Sequence, residues 1–279
     1  MFDMQAWVID SNMLQSDELR QYLQSSICNL AVLPDFAWYE IYKQESLDGV
    51  RHGLSVVGDH PDQTILLRSG DHIARLGPVV AEDLGRLIWE GPSGDIRHFV
   101  SLVRSDAPLD EDARVHLDAL WAWARTMKPS LIEGAVDFVE SFPEMQAQLF
   151  DRGEIRIIRT GGKYTRQMIV TIFSTAIQIW ETLAKEYELP REGLSEQEIS
   201  RTYLFRFALG LIMYLLWWIR GGSQAVVRID RASNDFIDLS FAVYATYFDG
   251  FLTRDDKASW VHQNLVAAIV SFRNHYAAG

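Results

Sequence analysis

Strand-like runs occur only towards the two ends of this chain, and at both ends they alternate with helical patterns. Ala6–Asp10 (AWVID) is a short apolar run closed by an acid, the pattern of a buried strand. Ser16–Gln24 follows as a helix, with Ser16 at the N-cap and Asp17 and Glu18 in the first turn. Leu30–Leu33 is apolar but runs into Pro34, and reads as a connection or a short edge strand. Asp35 is placed to cap a second helix through FAWYEIYKQESLDGVRHGL, and Thr64–Arg68 is a strand. At the other end Val226–Ile229 reads as a strand and Asn234–Tyr247 as a helix. Gly250–Thr253 is then a strand, and a last helix runs from Asp255 to near Tyr276. Such alternation predicts an α/β fold built on a parallel sheet flanked by helices.

From about Asp71 to Arg220 helical patterns dominate. The predicted helices are Ala81–Glu90, Gly94–Arg104, Glu111–Thr126, Leu131–Phe150, Lys163–Tyr187 and Ser195–Arg220. Their breaks fall at Pro92, Pro108, Pro129, Pro190 and Gly221–Gly222. Ile155–Ile158 is a short strand in the alternative reading. The domain expectation is a sheet core from residues 1–70 and 224–279, with 71–223 as a large, mainly helical insertion or subdomain.

Apolar residues at 48% and charged residues at 23% describe a globular chain rather than a disordered one. A single cysteine, Cys28, excludes an intrachain disulfide framework and any Cys-rich zinc site. The seven histidines show no H-x-x-x-H or H-x-E spacing, which removes the usual zinc hydrolases. The opening MFDMQAWVIDSN carries acids where a signal peptide needs a basic stretch, so a reduced, cytoplasmic setting is expected. A net charge of −12 argues against non-specific coating of nucleic acid. It is compatible with a nuclease, because bound divalent metal inverts the sign of an acidic site. Tyr203–Ile219 is apolar but shorter than the roughly 20 residues a bilayer crossing takes, and it contains Arg206. A buried core helix is the expectation, with a membrane helix as the alternative and no membrane partner expected.

Four acids stand at telling places. Asp10 closes the first strand, Glu40 lies in the second helix, Asp238 lies in the helix after residue 233, and Asp255 follows the strand GFLT. Ligands of an open parallel sheet bind outside the carboxyl ends of its strands, and Asp10 and Asp255 both fall there. The runs V-I-D-S-N, F-A-W-Y-E-I, N-D-F-I-D-L-S-F-A-V-Y-A and F-L-T-R-D-D, in that order, resemble the acidic motifs of PIN-domain ribonucleases. The likeness covers roughly residues 5–68 and 224–275. It implies a PIN-like sheet with a helical insertion, and a Mg2+- or Mn2+-dependent phosphodiesterase acting on RNA. Asp10, Glu40 and Asp238 would hold the metal, with Asp255 completing the site directly or through water. Asn12 and Thr253 would orient those carboxylates. Asp235 shares a helix face with Asp238 and is the assisting acid, while Asp256 is left to cap the last helix. Hard divalent cations take oxygen ligands, lower the pKa of bound water and offset charge on a leaving oxygen, which explains these residue types.

Each acid alone has a plainer reading, as a turn former, a helix cap or part of a solvated face. The ordered set favours the metal site. For substrate phosphate the candidates are Arg228 and Arg231, beside the third acidic motif, and Arg156, Arg159 and Lys163, in a basic stretch that includes one acid, Glu154. A solvated basic surface is the competing reading of that stretch. Gly161-Gly162-Lys163 is not a phosphate loop, since Ile157 stands where its first glycine belongs and Tyr164 replaces the Ser/Thr. A haloacid-dehalogenase-like phosphatase expects D-x-D where this chain has Asp10-Ser11-Asn12. A PIN-like binding or assembly protein with a decayed site is the other alternative. The roles left open for the helical insertion are holding RNA, binding a protein partner and forming a homo-oligomer.

Overall fold

In the computed structural model of the chain, residues 4–89, 100, 103, 109–224 and 229–277 are described. Contacts group the chain into two compact units. The first comprises Met1–Gly70, Gly85–Leu131 and Phe248–Arg254; the second comprises Asp71–Leu84, Ile132–Tyr247 and Asp255–Gly279.

The first unit holds a parallel sheet of β1 (Gln5–Ile9), β2 (Asn29–Leu33), β3 (Thr64–Leu66) and β4 (Gly250–Leu252), in the order β3-β2-β1-β4. Every pairing is parallel, with Trp7 opposite Ala31 on one side and Gly250 on the other. The α/β expectation is met at this level. β1 and β2 are internal strands, and Val8, Ile9, Ala31, Val32 and Leu33 are fully buried, as apolar runs flanked on both sides should be. Gly250 is where β4 meets β1 most closely. A Cβ there would lie 2.7 Å from the Trp7 ring, so only glycine fits the pairing.

The edge-strand reading of Leu30–Leu33 is corrected. Pro34 stands one residue past β2, at the N-cap of α2 (Asp35–Tyr42), so it removes no ladder hydrogen bond and leaves β2 in the interior. The predicted long second helix is two helices. Glu45 adopts φ 49°, and Ser46 then caps α3 (Leu47–Gly53) by accepting from Gly49 N at 3.3 Å. Helix α1 (Asp17–Ser25) starts as read, with Ser16 Oγ accepting from Leu19 N at 3.1 Å. The Gln63 amide nitrogen donates to Leu23 O, Ser26 O and Asn29 O at 2.8–2.9 Å, which fixes the end of α1 and the start of β2 against the approach to β3. A short helix, α4 (Gly70–Ala74), follows β3, and Ala81–Leu87 is 3₁₀ rather than α-helix.

Helix α5 (Glu111–Glu140) belongs to the first unit up to Leu131 and to the second beyond it. It runs through Pro129 instead of breaking there. A proline inside a helix costs about 3 kcal/mol. Buried residues on both sides, Leu117 and Ala124 before it and Ala135 and Val139 after it, secure the turns that offset this.

The second unit is helical: α6 (Phe142–Leu149), α7 (Arg152–Thr160), α8 (Arg166–Glu186), α9 (Glu196–Ile199), α10 (Tyr203–Arg220), α11 (Ile229–Ala245) and α12 (Asp256–Ala277). Ile155–Ile158 lies in α7, opened by a capping box of Asp151 and Glu154 and closed by Gly161 at φ 67°. The predicted helix Ser195–Arg220 divides because Thr202 caps α10 by accepting from Phe205 N. Helix α10 packs against α8, α11 and α12. Among the described residues it alone is long and apolar enough to cross a membrane, and 78% of it is buried inside the fold, as a core helix requires. Gly210 marks its closest approach to α11, where a Cβ would meet Leu239 and Val243 methyl groups at 3.0 Å. The predicted strand Val226–Ile229 falls outside the described residues except Ile229, which begins α11. The predicted helix Gly94–Arg104, Pro92 and Pro108 lie outside them too, apart from Val100 and Val103.

Candidate functional site

The first cluster of chemistry lies at the carboxyl edge of the sheet. β1 ends in Asp10, which is 1% exposed, and Asp10 N donates to Leu252 O at 3.0 Å, tying the ends of β1 and β4 together. Because the strands are parallel, Thr253 arrives at the same edge. Its hydroxyl donates to Asp10 Oδ2 at 2.5 Å, the Asn12 amide donates to the same oxygen at 2.8 Å, and Ser11 Oγ lies 3.4 Å from Oδ1. Asn12 and Thr253 therefore orient this carboxylate, the part the sequence assigns them. An aspartate at position 12 would lack the amide donor, and Asn12 thus serves Asp10 in a way a D-x-D motif does not. Arg254 N donates to Asn12 Oδ1 at 3.3 Å, and Arg254 pairs with Glu18 at 2.5 Å, pulling the Glu18 carboxyl below its ordinary range.

Glu40 is carried on α2, which packs against the 3₁₀ turn Ser11–Met13 that follows Asp10. Its side chain is 19% exposed and forms an ion pair with Lys43 one turn on. A third acid at the sheet edge is the one the sequence marks only as a cap of the second helix. Asp35, just after β2, is buried and accepts from Phe36 N at 2.9 Å and Gly70 N at 2.6 Å. It starts α2 and holds the turn beyond β3, a structural part that its strand-end position alone does not distinguish from a ligand's.

The second cluster lies in the helical unit. Asp235 and Asp238, three residues apart on α11, both pair with Lys257 from the first turn of α12. The Lys257 ammonium is 3.2 Å from Asp238 and 5.4 Å from the centre of the Tyr214 ring, while the Tyr214 hydroxyl donates to Asp235. Lys257 is 14% exposed, so this is a nearly enclosed arrangement of two carboxylates around one cation. Sequence reasoning missed both Lys257 and Tyr214. Lys257 follows Asp256 directly, but nothing local says that it reaches back to α11.

The capping part assigned to Asp256 falls to Asp255. Asp255 Oδ1 accepts from Ala258 N at 2.7 Å, so Asp255 caps α12, and Asp256 is its exposed first residue. A capping side chain has to precede the first helical residue to reach the amide three positions on, which selects Asp255.

Of the basic residues, Arg156, Arg159 and Lys163 are exposed. Arg159 is turned onto the end of α10, donating to Ile219 O at 3.4 Å and Ser223 Oγ at 3.1 Å. Arg228 and the side chain of Arg231 lie outside the described residues.

Carboxylate oxygen is the donor type Mg2+ and Mn2+ prefer. Asp10 and Glu40 belong to the first unit, and Asp235, Asp238 and Asp255 to the second. Among the described residues no group of three or more His, Cys, Asp or Glu side chains is placed to hold a metal ion. Asp10 is engaged by hydroxyl and amide donors, Asp235 and Asp238 by an ammonium, and Asp255 by a helix amide. Comparison with family models, with curated proteins and with solved structures gives no match.

Proposed function

We propose that the chain is a PIN-like, metal-dependent phosphodiesterase, an endoribonuclease using Mg2+ or Mn2+. The observation that carries this reading is Asp10. It is a deeply buried carboxylate at the carboxyl end of an internal strand of a parallel sheet, oriented by Asn12 from one end of the chain and Thr253 from the other. That edge is where open parallel sheets bind their ligands. Enclosing a carboxylate is costly unless donors surround it, and here three side chains do so. The acidic motifs imply Asp10 and Glu40, of the sheet unit, and Asp238 and Asp255, of the helical unit, as ligands. Arg156, Arg159 and Lys163 are the exposed cations proposed to meet RNA phosphate. Holding metal requires Asp238 to exchange the Lys257 ammonium for the ion.

A titration of the protein with Mn2+ by calorimetry tests this. The expected result is saturable binding that Asp10→Asn weakens at least tenfold. Absence of binding, or identical binding by the variant, would sink the reading. A second reading has a specific observation in its favour. Lys257 already neutralises the α11 carboxylates, as in a PIN-like protein that has kept its fold and lost its metal. RNA or protein binding without Mn2+ binding would be its signature.

A further inference from the structure

The helical unit contains a second charged cluster, of the opposite sign, which the nuclease reading does not use. Arg206 on α10 is 5% exposed. Its guanidinium lies 3.5 Å from the centre of the Tyr247 ring. Nη1 donates to Thr246 O at 2.8 Å and Thr246 Oγ1 at 3.0 Å, and Nε donates to Ser200 O at 3.3 Å. Arg273 on α12 comes to the same serine, donating from Nε to Ser200 Oγ at 2.9 Å. Two guanidinium groups thus meet at the two oxygens of one fully buried residue. The Tyr247 hydroxyl donates to Arg201 O at 3.0 Å, which fixes the backbone of a third arginine alongside.

Among the described residues neither Arg206 nor Arg273 has a carboxylate partner, although the chain carries 38 acids against 26 Lys and Arg. The acid nearest in sequence, Glu198, acts on Arg201 and is itself engaged in the capping box of α9. Burial first, and then the charge of Arg201, lowers the pKa of Arg206; burial, then Arg206 and Arg201, lower that of Arg273. Carbonyl groups at the end of α11 account for Arg206 as a helix-end cation. They do not account for Arg273, a partly exposed arginine directed at a neutral hydroxyl beside two like charges. Arg206 Nη2 and both Nη atoms of Arg273 form no hydrogen bond among the described residues. Arg206 and Arg273 thus have no anionic partner among the described residues, and guanidinium groups bind tetrahedral oxyanions through such paired N–H donors.

We propose that Arg206 and Arg273, with the charge of Arg201 close by, form an oxyanion site for a monoester-type phosphate, either free or at the end of a nucleic-acid strand. Arg206 is 5% exposed beside a partly exposed Arg273, which suits a small or terminal phosphate better than a diester within a continuous strand. This site does not depend on the nuclease reading, and its test uses no cleavage.

Inorganic phosphate is titrated into the full chain by calorimetry at constant ionic strength, with Arg273→Gln and Arg201→Gln as variants and circular dichroism as the check on folding. Saturable binding by the native chain is expected, weakened at least tenfold by Arg273→Gln and severalfold by Arg201→Gln. Absence of binding to the native chain overturns the proposal, as does binding that both folded variants retain unchanged. A short RNA carrying a 5′-phosphate, set against the same RNA with a 5′-hydroxyl, identifies the source. Displacement of inorganic phosphate only by the phosphorylated strand assigns the site to a strand end, and displacement by neither assigns it to free phosphate.

Discussion

At Lys257 one ammonium serves two carboxylates, and its side chain is 14% exposed. Removing it leaves Asp235 and Asp238 one turn apart with like charge, a repulsion that draws in another cation. Breaking a fully buried ion pair costs about 3–5 kcal/mol, so this nearly enclosed one is worth about 2 kcal/mol after allowance for its solvent contact. Lys257→Met is therefore expected to lower the melting temperature by several degrees. If these acids are metal ligands held by Lys257 in the metal-free state, millimolar Mn2+ should raise the melting temperature of the variant more than that of the native chain, since a ligand stabilises the state it binds. Equal shifts in the two proteins would show that Lys257 and metal do not compete. Asp10 was legible from its position alone, as an acid ending an apolar run. The partnership of Lys257 was not, because it joins α11 and α12 across residues that give no periodic signal. Asp255 and Asp256 show a finer limit: adjacent acids before a helix differ only in which of them precedes its first residue.

Among the elements, those with a local start signal were the most legible. Ser16 before Asp17 and Glu18 marked α1, and the hydroxyl accepts from Leu19 N as the pattern requires. Ser16→Ala should destabilise the first unit by about 1 kcal/mol, measured by urea unfolding, while Ser16→Asn should retain most of that stability. Unchanged stability in the alanine variant would mean that the buried face of α1, Leu19 and Leu23, sets its position without the cap. Internal breaks were less legible. Thr202 caps α10 inside a stretch that reads as continuous helix, and Glu45 takes a left-handed conformation that glutamate composition does not announce. Pro129 misleads in the opposite sense, because the helix Glu111–Glu140 continues through it.

For the whole molecule, alternation at the two ends of the chain was enough to foresee a parallel sheet, since β4 returns to pair with β1 from beyond residue 249. What alternation could not give was the strand order, which makes β2 internal, because a following proline looks the same after an edge strand and after an internal one. Stability should also depend on pH in a defined way. Burial holds the His262 imidazole below its ordinary pKa of about 6.5, outweighing its backbone hydrogen bond with Ala245. The folded chain therefore binds fewer protons at this site than the unfolded chain does. The stability from neutral His262 is complete above about pH 6.5 and is lost as the pH falls towards the depressed folded value. Melting temperature should fall between pH 7.5 and 5.5 in the native protein and fall less in His262→Gln; identical profiles would remove His262 as the cause.

The central claim is that the carboxylates reaching Asp10's edge and those of α11 and α12 belong to an RNA-cleaving enzyme. Its most direct measurement is the cleavage of end-labelled single-stranded RNA by the purified chain with Mn2+, compared with the same reaction in chelator and with Asp10→Asn. The account predicts internal cleavage that requires the metal and falls at least a hundredfold in the variant. Intact RNA with Mn2+ present, or cleavage that Asp10→Asn leaves unchanged, would contradict it.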